Sequence, residues 1–137
     1  MNDAEMRIRK DRLYKEEKHV TSKVSELVRL ISIGVLAADY TIIVSNSKFA
    51  IMIMNESQVV VLISATFAAI TIFSEYLQFL CGYIAVRSAL NNHKNEYAYD
   101  MTSISYKCRR KFYVIKQVTL IVSILLFITV LLKSMVT

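Results

Sequence analysis

The chain alternates between charged and apolar stretches: a polar opening segment, an apolar run, a short mixed connector, a long apolar run, a second charged segment and a last apolar run. The longest apolar run, Val59 to Val86, holds 28 residues with Glu75 as its one formal charge. At about 1.5 Å of rise per residue it exceeds the roughly 20 residues that a bilayer core requires. It predicts a membrane-spanning helix over 59–86, with a first span over 27–44 and a third over 112–136. Only two glycines and no proline interrupt the sequence, which disfavours strands and their turns. The predicted fold is therefore all-α: one polytopic membrane domain over 1–137, with three transmembrane helices and a small cytoplasmic helical region.

The flanking segments also carry helical patterns. Residues 3–24 place an acid four positions before a base at Asp3/Arg7, Glu5/Arg9 and Asp11/Lys15, the favourable order for side-chain pairs on a helix. Met6, Leu13, Val20 and Leu27 recur every seventh residue, with Val24 and Ile31 beside them. That seam suits a partner helix, and the same segment could lie on anionic headgroups. In 87–111, Leu90, His93, Tyr97, Met101, Ile104 and Cys108 continue from Val86 at spacings of three or four, which predicts a helical hairpin. Its turn falls at Asn91 to Asn95 or, preferably, at Asp100 to Ser103, both rich in capping residues. The connector 45–58 is expected to lie in the outer interface or to extend the second helix.

Composition alone, 55% hydrophobic with a net charge of +6, leaves the choice of partner open. Placement of the charges narrows it. Residues 1–29 hold eight Lys/Arg and 87–116 hold seven, against Lys48 and Lys133 elsewhere. The positive-inside rule then sets the N-terminus and the 87–111 loop in the cytoplasm and the C-terminus outside. The early residues lack the apolar core of a cleaved signal peptide, so the first span is expected to act as an uncleaved anchor. Arg87, Lys107, Arg109, Arg110 and Lys111 are expected to meet lipid headgroups or a partner, and nucleic acid is not expected as one. Tyr76, Phe79 and Tyr83 fit an aromatic belt at the inner end of the second span.

Polar groups inside the spans are the candidate functional residues. Asp39 stands in the outer half of the first span, where a carboxylate is costly unless it faces water or a partner. Glu75 lies about 24 Å along the helix from Val59, and Lys116 about 28 Å back from Met135, so the two fall at similar depth and predict a buried pair. Gln78 joins them, while Asp39 is expected at a different level. Both Lys116 and Lys133 have stems long enough to snorkel. Small residues suggest close helix packing: Gly34 with Ala38 in the first span, and Ala65, Ala68 and Ala69 with Ser64 and Thr71 in the second. The third span, with few small or polar residues, is expected to face lipid.

No enzyme is expected, because no nucleophile with its base, no metal cluster and no phosphate-binding loop is apparent. Cys81 and Cys108 form no CxxC or zinc pattern, and no metal or cofactor is implied. Arg87 and His93, in RSALNNH, have a spacing that resembles the Arg-x4–6-His signature of HEPN ribonucleases, in which two helical protomers cut RNA. That match covers seven residues, and the pair reads instead as a span anchor and a seam position. The basic helix RIRKDRLYKEEKH leading into LVRLISIGVLAADYTIIV, then a second span and a charged helix, resembles the layout of SLATT-type small bacterial membrane effectors. The resemblance covers roughly 6–108 and implies pore formation in a nucleotide-linked defence response, while the span 112–136 departs from it. Three spans, a cytoplasmic N-terminus and a basic inner loop are also similar to immunity proteins that intercept pore-forming bacteriocins. The expected function is a homo-oligomeric, non-enzymatic protein that perturbs or conducts across the bacterial inner membrane. Its cytoplasmic parts, 3–24 and 87–111, are expected to meet the trigger or a protein partner; a binding protein or an accessory subunit of a larger complex is the alternative.

Overall fold

The computed structural model of the chain describes residues 3–91 and 103–136. It consists of three long helices, α1 (Asp3–Val44), α2 (Lys48–Asn91) and α3 (Ile104–Val136). All three contain stretches long and apolar enough to cross a membrane, over His19–Val44, Lys48–Ser88 and Ile104–Val136. The polar opening segment and the first apolar run are one continuous helix, as no glycine or proline separates them. The side chains of Asp3, Glu5, Arg7, Arg9 and Asp11, and with them the pairs expected at Asp3/Arg7, Glu5/Arg9 and Asp11/Lys15, lie outside those described, as do those of Met6, Leu13 and Leu90. The same holds for the whole of His93, Tyr97 and Met101.

Short polar residues set the element boundaries. The first connection is the tight turn Ser45 to Ser47, where Ser47 caps α2: its hydroxyl accepts from the amide of Ala50 at 3.2 Å, and its carbonyl accepts from that of Ile51 at 3.0 Å. The connector 45–58 is thus mostly helix, extending α2 outward, with a single break at Ser57 (φ −139°, ψ 21°). Ser103 caps α3 by accepting from the amide of Tyr106 at 3.3 Å, and the expected turn sites, over 92–102, lie outside the described residues.

Packing is antiparallel at each connection, with α2 central. It lies along α3 most extensively, along α1 less, and α1 and α3 touch at few positions. The helix with the least packing is therefore α1 and not α3, which corrects the expectation that the third span is the one facing lipid. At the end of the bundle near the turn between α1 and α2, Ile53, Val61 and Val130 form an apolar plug, with Ile42 and Val60 against it. Elsewhere many large apolar side chains point outward: Leu30, Ile33, Phe73, Leu80, Ile121, Leu125 and Leu132 are all exposed. In water such surface would be unfavourable, whereas against hydrocarbon it is the expected outer face.

Three exposed threonines fit the same environment. Thr41, Thr66 and Thr129 each donate to the carbonyl four residues back in their own helix, at 2.7, 2.8 and 2.8 Å. A hydroxyl facing acyl chains has no water to bond, and this back-bond satisfies it. The expected aromatic belt, Tyr76, Phe79 and Tyr83, is likewise exposed on α2.

Two expected packing faces are corrected. A side chain at Gly34 would meet open space, and Ala38 is only half-buried, so this pair is not the contact between α1 and α2. Ala68 is fully buried and Ala65 half-buried, but Ala69 is exposed. The seam expected on α1 is also turned outward, since Val20, Leu27 and Ile31 are exposed. The buried line of α1 is Ser25, Val28, Ser32, Val35 and Asp39.

Candidate functional site: a polar seam inside the bundle

The interior of the bundle is more polar than its surface. Ser25, Ser32 and Asp39 on α1, Ser57, Ser64, Thr71 and Gln78 on α2, and Lys116 and Ser123 on α3 are all buried, and within each helix they recur every seventh residue. A seven-residue period keeps one face toward its neighbours in a left-handed helical bundle. Here that face carries small polar side chains, which permit close backbone approach and hydrogen-bond between helices.

At the end of the bundle near the N-terminus of the third apolar run, Lys116 is the central group. Fully enclosed, it does not reach the surface as a snorkelling lysine would. Its Nζ donates to Ser25 Oγ at 2.7 Å, lies 3.9 Å from Glu75 Oε1 and stands 5.4 Å from the centre of the Tyr113 ring. The depth argument from sequence thus places the Glu75–Lys116 pair correctly, and the contact with Ser25 brings in α1 as a third partner. Lys133, in contrast, is exposed and donates to the carbonyl of Glu56 at 3.0 Å.

Toward the turn between α1 and α2, Thr71 and Thr119 join their hydroxyls at 2.8 Å across α2 and α3. Some 10 Å farther along α2, Ser64 and Ser123 form a reciprocal clasp. Ser64 Oγ donates to the Ser123 carbonyl at 3.2 Å and Ser123 Oγ donates to the Ser64 carbonyl at 3.0 Å. Each hydroxyl reaches the other helix's backbone, which requires that nothing larger than serine stands at the crossing.

Asp39 comes next and is fully enclosed. The Ser64 hydroxyl stands beside its carboxylate, but the bond that hydroxyl makes is to the Ser123 carbonyl. Both Asp39 oxygens therefore have no hydrogen-bond partner among the described residues. Glu75 Oε2 and Gln78 Oε1 are buried acceptors in the same condition. Buried polar groups are nearly always paired, so acceptors without donors inside an apolar-walled bundle mark a site. As expected, Asp39 and Glu75 belong to different levels.

No family model matches the chain, and neither does any curated protein or solved structure. The chemistry of the seam must therefore be read from its own residues.

Beside the Lys116 cluster a cavity of about 760 Å³ opens between α1, α2 and α3. Ser25, Glu75 and Gln78 form part of its wall, with Arg29 and Arg109 also lining it. The other expected contact residues, Arg87, Lys107, Arg110 and Lys111, are exposed around this end of the bundle. The sequence reading missed Ser25, Thr119 and Ser123. For Ser25 and Ser123 the signal that could have found them is the seven-residue recurrence of small polar or charged residues within runs of larger apolar ones; Thr119 stands outside that recurrence.

Proposed function

We propose that the protein is a non-enzymatic, multi-pass protein of the bacterial inner membrane, with its N-terminus in the cytoplasm and its C-terminus outside. In this reading it is a defence-type effector that lets protons or small cations cross when a cytoplasmic trigger parts its helices. The observation that carries the proposal is Asp39, a fully enclosed carboxylate without a hydrogen-bond partner, within helices of spanning length. Holding an acid there is costly, and in a membrane such a group is by default part of an ion or proton path. The hydroxyls of Ser64, Ser123, Thr71 and Thr119 supply intermediate stations between Asp39 and the Glu75–Lys116 pair.

As it stands, the seam is closed. The hydroxyls bond to carbonyls or to each other, and the plug of Ile53, Val61 and Val130 covers the outer end. Opening requires α2 and α3 to separate at the Ser64–Ser123 clasp. The polar stripes of several copies would then face a shared lumen, so the conducting form is a homo-oligomer in membrane lipid. Residues 3–24 and 87–111 would receive the trigger or a protein partner.

A second reading rests on a different observation: one chain encloses its own intramembrane polar groups. Such a bundle needs no second copy, which favours a monomer that intercepts another membrane protein, as a bacteriocin immunity protein does. Membrane-potential recording in bacterial cells expressing the protein separates the two. The effector reading expects depolarisation that Asp39→Asn suppresses; an unchanged potential, together with a monodisperse monomer in mild detergent, would replace it by the binding reading.

A further inference from the structure

The cavity at the inner end carries an inference that does not depend on whether the seam conducts. We propose that it is a binding site for a hydroxyl-bearing phosphate ester, the chemistry of a glycerophosphate headgroup.

Its deep wall and its flanks ask for different things. In the wall, Glu75 is 4% exposed and Gln78 8% exposed, and both present an acceptor oxygen with no partner. Both residues line the cavity. These oxygens require donors. Glu75 Oε2 is an acceptor whichever way the neighbouring amide is turned. An ammonium donor would face Lys116, whose Nζ already lies 3.9 Å from the other oxygen of Glu75. Neutral hydroxyls satisfy the acceptors without placing a second cation there.

The flanks ask for an anion. Of the acidic residues lining the cavity, Glu26 is paired with Lys23 at 3.2 Å and Glu75 with Lys116. Arg29 and Arg109 also line it and have no carboxylate partner among the described residues. A guanidinium is always charged and its planar fork matches a phosphate in two-point geometry. The Arg109 side chain lies against α2 at Gly82, where a Cβ would stand in ordinary contact, 3.7 Å from Arg109 Cδ. The cavity volume of about 760 Å³ lies in the range that holds a small polar ligand.

Two sources offer this chemistry, a phosphatidylglycerol headgroup in the inner leaflet and a soluble glycerol phosphate. The full chain in neutral detergent distinguishes them by native mass spectrometry and thermal unfolding. Added probes are phosphatidylglycerol, phosphatidylcholine and sn-glycerol 3-phosphate. Phosphatidylcholine keeps the phosphate but has no headgroup donor. The expected result is retention of phosphatidylglycerol at least tenfold above phosphatidylcholine, reduced tenfold or more by either Arg109→Gln or Gln78→Leu. Arg109 is exposed, so its replacement leaves the bundle packed. Protection by glycerol 3-phosphate alone, lost in the same variants, would identify the soluble source. Equal retention of the two lipids without glycerol phosphate binding, or variants that bind as the unaltered protein does, would overturn the proposal.

Discussion

Lys116 shows most directly how a single residue organises this bundle. A buried ion pair is not by itself a large source of stability, yet breaking one by removing a partner is costly because the other charge stays buried. Lys116→Met should therefore destabilise the protein by about 3–5 kcal/mol, read as a lower unfolding midpoint in detergent. Adding Glu75→Gln to that variant should recover much of the loss. A double variant no better than the single one would mean that the pair does not register the helices. Two small residues make a second contrast. Gly34 faces open space and Ala68 is fully buried. Gly34→Leu should leave stability nearly unchanged, while Ala68→Leu should cost about 1–3 kcal/mol through overpacking. The sequence marked both as packing positions and could not tell them apart, because a small-xxx-small pair shows that an approach is permitted without showing which neighbour makes it. By contrast, the Glu75–Lys116 pair was legible, since a fixed rise per residue places two charges on antiparallel spans at computable depths.

The helices themselves illustrate what hydrophobic runs reveal and conceal. Run length predicts how many helices can span, so three spanning helices could be read from the sequence, although all three run on past 27–44, 59–86 and 112–136 into the flanking segments. Their inward faces could not. When lipid is the outer solvent, the usual rule that apolar residues mark the core loses its force, and Leu27 and Ile31 point outward while Ser25 and Ser32 point in. Continuity was hidden for a related reason. A change from polar to apolar composition looks like a boundary, but α1 passes through it unbroken. At this scale the Ser64–Ser123 clasp is the joint between α2 and α3. Replacing both serines with alanine should remove about 0.6 kcal/mol per hydrogen bond and keep the fold. Ser123→Leu should force the helices apart and lower the unfolding midpoint much further. Equal effects from the two changes would show that close approach at the clasp is unimportant.

The whole molecule joins an apolar exterior, a polar interior and a strong asymmetry of charge. The fifteen basic residues of 1–29 and 87–116 should hold both segments in the cytoplasm. In a chain with Cys81→Ala and Cys108→Ser, a new cysteine at Asn46 should react with an impermeant maleimide from outside intact cells. One at Arg12 should react only after permeabilisation. The reverse pattern would invert the topology and put the cavity on the other side of the membrane. The central claim is that the closed seam, with Asp39 in it, is a path. The most direct test is proton flux in proteoliposomes under an imposed pH gradient, comparing Ser123→Leu with Ser123→Leu/Asp39→Asn at equal protein content. The account predicts a steady leak from the first, reduced at least tenfold in the second. No leak above protein-free vesicles, or a leak indifferent to Asp39, would contradict it.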